Sequence, residues 1–144
     1  MTRILFPGTL VLVLGCAAPA ERVPLRPLPE NGQVLPYAEL LTRVRAQASA
    51  ANEAFYLDHW IDLEDMAKGI EQTSRFLSKA EEVPAKNRKI LKEVTDDLAA
   101  NAKKLRDAAA THSVKDATVA LQQIIFKVRD LRLTEESGPQ PKKD

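Results

Sequence analysis

One thiol, two imidazoles and a short acidic run are the groups in this 144-residue chain whose type and spacing bear on chemistry. His59 and Asp62 stand three residues apart, which on a helix puts them on one face and makes them a two-ligand fragment for a metal. Asp58-His59-Trp60-Ile61-Asp62-Leu63-Glu64-Asp65 also holds enough carboxylates to supply an acid and a base. The same carboxylates in a first helical turn would simply offset the positive end of the helix dipole. His112, at an expected helix end, is explained by capping or packing. The chain contains no Glu-x-x-His, so it cannot build the di-iron site of carboxylate bundles, and two histidines cannot supply the His-x-x-x-His pair of zinc helices. No Gly-x-Ser-x-Gly elbow presents a serine nucleophile. We therefore expect no catalytic residues, no metal beyond the His59–Asp62 fragment and no cofactor: a protein that is not an enzyme.

The sole cysteine, Cys16, follows Val13-Leu14-Gly15, and these residues close an apolar run that begins at Ile4 behind Met1-Thr2-Arg3. A basic start, an apolar stretch too short to span a bilayer and a small residue before cysteine together mark a cleaved export segment. The four residues resemble the lipobox of bacterial lipoproteins. That resemblance implies cleavage before Cys16, acylation of its thiol and new amino group, and a cell-envelope location, lipid-anchored and facing the periplasm. A lipidated Cys16 leaves no thiol for a disulfide, so stability must come from a core.

Without residues 1–15 the remaining 129 residues carry equal numbers of acidic and basic side chains, because Arg3 is the one charge lost. Neutrality argues against nucleic acid, whose binding needs many phosphate contacts, and against adhesion to anionic lipid by net charge. The expected partners are the membrane, through the lipid anchor, and an envelope protein. With 44% apolar residues, only five glycines and abundant Ala, Leu, Lys, Glu and Asp, the composition favours one helical domain.

Residues 16–36 hold Cys16 and five prolines, and read as a lipidated, semi-rigid spacer; residues 134–144 read as a disordered tail. Between them, over 37–133, apolar positions recur at three-and-four spacing in four segments. The first, from Tyr37 to Ala54, aligns Leu40, Leu41, Val44, Ala48, Ala51 and Phe55. The second aligns Trp60, Leu63, Ala67, Ile70, Ser74 and Leu77. The third runs from Leu91 through Val94, Leu98, Asn101, Leu105 and Ala108 to His112, and the fourth from Val114 through Ala117, Leu121, Ile124 and Val128 to Leu131. Asp58 and Asp62 are candidate N-caps of the second segment, Pro84 suits the first helical position of the third, and Ser113 with Asp116 forms a capping box before the fourth. Short connections then predict an all-α, up-down-up-down antiparallel four-helix bundle. Ala99-Ala100 and Ala108-Ala109-Ala110 allow close helix approach, either in a homo-oligomer or within the bundle's own core.

Two stretches give a further resemblance. Trp60 to Ile70 looks like the second-helix opening of the cytochrome c-prime type of exported bundle. Ile125-Phe126-Lys127-Val128-Arg129 occupies the place where that family has Cys-x-x-Cys-His. Ile125 and Val128 would replace the thioether cysteines and Arg129 the axial histidine, so covalent haem has no attachment. The resemblance implies a haem site filled by Ile, Val and Phe. A b-type relative would need Met66 with His112 as axial ligands. The expectation is a membrane-tethered interaction or structural module. Its alternative is a carrier of haem or another apolar ligand between the helices.

Overall fold

A computed structural model describes residues 27–29 and 35–132. The export segment, Cys16, most of the spacer and the tail lie outside the described residues. Five helices follow in order: α1 (Tyr37–Tyr56), α2 (Trp60–Leu77), the single turn α3 (Ala85–Arg88), α4 (Leu91–Ala110) and α5 (Val114–Asp130). The protein is all-helical, with no strand among the described residues. Helix α1 packs on α2, α2 on α4, α4 on α5, and α5 returns to α1, so the four long helices enclose one core.

That core is the set of three-and-four stripes. Leu40, Val44 and Ala51 on α1, Leu63 and Ile70 on α2, Leu98 and Leu105 on α4, and Ile124 on α5 are wholly buried. Burial of each such aliphatic side chain contributes about 1.5–3 kcal/mol, which offsets the cost of ordering helices that would be marginal alone. The polar breaks in the stripes are satisfied locally. Ser74 is buried and its hydroxyl donates to the Ile70 carbonyl at 2.7 Å, while Asn101 donates to the Asp97 carbonyl at 2.8 Å. Gln47, buried on α1, accepts from the Thr73 hydroxyl of α2 at 2.9 Å. It reaches α2 over Gly69, where a Cβ would stand 2.8 Å from the Gln47 amide nitrogen. Ala108 and Ala109 are buried, so those two small residues serve the chain's own core.

The third segment departs from expectation. Pro84 caps the separate turn α3 instead of opening one long helix, and α4 begins only at Leu91. Asn87 accounts for the break. Its buried amide donates to the Tyr37 hydroxyl at 2.9 Å and to the Leu131 carbonyl at 3.2 Å, which ties the α3 turn across the bundle end. The Tyr37 hydroxyl in turn donates to Leu131 at 2.8 Å, joining the start of α1 to the end of α5. Burial pushes the Tyr37 phenol above its ordinary pKa, partly opposed by the Asn87 hydrogen bond and the nearby Arg45 charge.

Part of the proline-rich stretch belongs to the packed body. Leu28 exchanges two hydrogen bonds with the Gln72 side chain of α2, at 2.9 and 2.7 Å, and Leu28 and Leu35 both pack against the core. A glutamine amide offers one donor and one acceptor, so Gln72 pairs with this backbone as a neighbouring strand would.

Candidate functional site

Both three-residue turns, 57–59 between α1 and α2 and 111–113 between α4 and α5, meet at the end of the bundle opposite Asn87. They share one design. Past the end of α1, the His59 amide donates to Ala54 at 2.8 Å and the Asp58 amide to Phe55 at 3.2 Å. Past the end of α4, Ser113 donates to Ala108 at 2.9 Å and His112 to Ala109 at 3.1 Å. Each is a Schellman closure with a left-handed residue: Asp58 at φ 59° and His112 at φ 51°. Glycine is the usual occupant of that position, and Asp and His are among the side chains that tolerate it best. Of the expected capping box the N-cap half forms: the Asp116 amide donates to the Ser113 hydroxyl at 3.4 Å, while the Asp116 carboxylate accepts from that hydroxyl at 2.7 Å because the Ser113 amide is taken by Ala108. Neither Asp58 nor Asp62 caps α2; His59 occupies the N-cap position without a side-chain cap bond.

These turns bring His112 flat against Trp60, with ring centroids 5.1 Å apart and planes 18° from parallel. Phe55 meets Trp60 edge-on at 6.1 Å and Tyr56 at 5.8 Å, so an aromatic cluster forms and extends to His112. Trp60, aligned with the second stripe, is only half-buried. Around the cluster the surface is apolar. Tyr56 is 77% exposed, Ile61 78%, and Leu57 and Val114 are more than half exposed. Val114 and His112 were expected in the buried stripes; both lie beyond the last core layer, where the turn rotates them outward. An open cleft of about 500 Å³ lies here, walled by Asp58, His59, Trp60, Ile61, Asp62 and His112.

The His59–Asp62 pair does assemble, with Nδ1 3.4 Å from a carboxylate oxygen, and both side chains are exposed. Among the described residues no group of three or more His, Cys, Asp or Glu side chains gathers to hold a metal. Met66 and His112 do not share a cavity. Met66 lines a groove with Gln47 and Gly69, while His112 lines the cleft at the turns. Ile125 and Phe126 do not fill a core either: both project from α5 to solvent, so no closed haem cavity exists at that place. Glu64 and Asp65 pair with Lys68 at 2.9 and 3.3 Å on the surface of α2, an exposed charge arrangement that contributes little to stability.

Sequence reasoning did not find the Trp60–His112 stack or the Tyr37–Asn87–Leu131 knot. A partial signal for the first was available: the turns at 57–59 and 111–113 have equal length, so they lie at one end of the bundle if the helices they join are neighbours. The second had none, because Asn87 sits in a run of exposed polar residues. No helix among the described residues is long and apolar enough to cross a membrane. Comparison of the chain with family models, with curated proteins and with solved structures gives no match.

Proposed function

We propose that the chain is a non-enzymatic, lipid-anchored module of the bacterial cell envelope, and that the apolar tip around Trp60 and His112 docks a protein partner. In this reading the long helices run up-down-up-down as an antiparallel four-helix bundle. The short turns at 57–59 and 111–113 favour that arrangement. Val13-Leu14-Gly15-Cys16 supports the anchor.

The observation that carries the reading is the position of the tip. Tyr56, Leu57, Ile61 and Val114 expose apolar surface together, at the end opposite the one where the chain enters α1. Scattered exposed apolar residues need no explanation, but four at one end of the bundle, beside half-buried aromatics, have the composition of an interface centre. Ten residues separate Cys16 from Pro27, a reach of at most about 40 Å. The anchor thus confines the bundle to the membrane vicinity, where a modest affinity suffices for occupancy.

The test uses the intact chain in its own cells. Ile61→Asp with Val114→Asp is expected to abolish a co-migrating complex on native gels while the chain stays in the membrane fraction. Cys16→Ser is expected to release the chain from membranes with its helicity unchanged. A complex that survives the double substitution would overturn the docking tip, and persistent membrane association of the Cys16→Ser chain would overturn the anchor.

A further inference from the structure

The seam between α5 and α1 is the loosest of the four, and it opens into a groove of about 660 Å³. Arg45 and Asn52 line it from α1, Ile125 and Arg129 from α5, and Arg132 from just past the end of α5, over Val128. Three guanidinium groups share this groove. The whole chain has a net charge of only +1, so the cluster is a local arrangement and not the reflection of a basic composition. Beside it, the Arg129 guanidinium lies 5.1 Å from the centre of the Phe126 ring, and Ile125 and Phe126 are 45% and 46% exposed. Arg129 and Arg132 flank Leu131, the residue whose carbonyl accepts from Tyr37. The groove therefore runs along the α1–α5 face, from Arg132 near the chain-entry end to Asn52 in the second half of α1.

We propose that the Arg45–Arg129–Arg132 groove, with the Ile125–Phe126 step next to it, is a docking surface for the anionic phospholipid headgroups of the bilayer beside the chain. The placement of that bilayer rests on the anchored reading above. Guanidinium forks match phosphate oxygens bidentately, and arginines beside exposed aromatic and aliphatic side chains are the composition that settles at a headgroup boundary. A lipid anchor supplemented by a basic patch holds more firmly than either alone. Contact through this groove lays the α1–α5 face toward the membrane.

The experiment is co-sedimentation of the chain from residue 16 onward, carrying Cys16→Ser and without the apolar run before it, with phosphatidylcholine vesicles, with and without a phosphatidylglycerol fraction. The parent is expected to prefer the anionic vesicles, and added salt to weaken that preference. Arg129→Gln with Arg132→Gln, both at exposed positions, should lower partition to anionic vesicles by about 30-fold, on the order of five-fold for each cation near the surface. Lys103→Gln with Lys104→Gln removes the same charge from α4 and should leave partition unchanged. Ile125→Gln with Phe126→Gln keeps every charge and should still lower partition, which guards against misfolding of the arginine variant. Equal partition of the parent into both vesicle types would overturn the proposal, as would equal losses in the arginine and lysine variants or no loss in the Ile125–Phe126 variant. The anchor is read independently, by the mass of the Cys16 lipid in the native chain, because the protein used here carries none.

Discussion

The two ends of the bundle are built on opposite principles. One is polar and shut: Tyr37, Asn87 and the Leu131 carbonyl are tied by three hydrogen bonds, with Tyr37 and Asn87 each only 2% exposed. The other is apolar and open: Trp60 is half-buried under His112, and Tyr56, Leu57, Ile61 and Val114 face solvent. A folded chain gains nothing from leaving such apolar area in water, and it loses most from breaking a polar knot in its interior. The difference separates what holds the fold from what the fold presents. It also yields an order of sensitivities along the molecule.

The largest effect should come from neither end. Leu98→Asp places an unpaired charge at a fully buried position midway along α4, and is expected to cost more than 4 kcal/mol and leave the chain unfolded in circular dichroism. Next is the knot. Asn87→Ala strips the Tyr37 hydroxyl of its donor and leaves buried polar atoms unpaired, for an expected loss of about 2 kcal/mol in urea unfolding. The same knot fixes a pH response. Tyr37 keeps its proton to higher pH in the folded state than in the unfolded one, so its contribution is fully present below the ordinary phenol pKa near 10 and is lost as pH rises through the raised folded value. Alkaline titration of stability should therefore show a loss that Tyr37→Phe removes. At the tip, Trp60→Ala is expected to cost about 1.5 kcal/mol, below the 3–5 of a fully buried tryptophan. If Trp60→Ala proved as costly as Asn87→Ala, the contrast between the ends would fail.

Legibility in the sequence followed the same contrast. Stripe residues well inside the helices, such as Leu63, Leu98 and Ile124, lie in the core because helix periodicity and burial express one geometry, whereas Phe55, Trp60, Leu91 and Asn101 are only half-buried. Around the turn between α4 and α5 the stripes misplaced His112, in the turn itself, and Val114, the first residue of α5, since a left-handed turn breaks the periodicity on which the stripe depends. Ser113 and Asp116 announced their cap locally. Asn87 announced nothing, because its partners are 50 and 44 residues away in sequence and its neighbours are charged. The arginine groove was equally hidden. Arg129 at the end of α5 and Arg132 just past it are near in sequence, but only the packing of α1 against α5 brings Arg45 to them. Overall neutrality argued against contact with anionic lipid, and a local cluster can reverse an argument made from the sum.

The most direct test of the docking tip is photo-crosslinking from single positions in living cells. A crosslinker at Ile61 is compared with the same group at Lys86, exposed at the closed end, and at Lys103 on α4. The account predicts one discrete protein adduct from position 61, lost when Val114→Asp is added, and none of that size from positions 86 or 103. The same adduct from position 86 or 103, with none from 61, would contradict it.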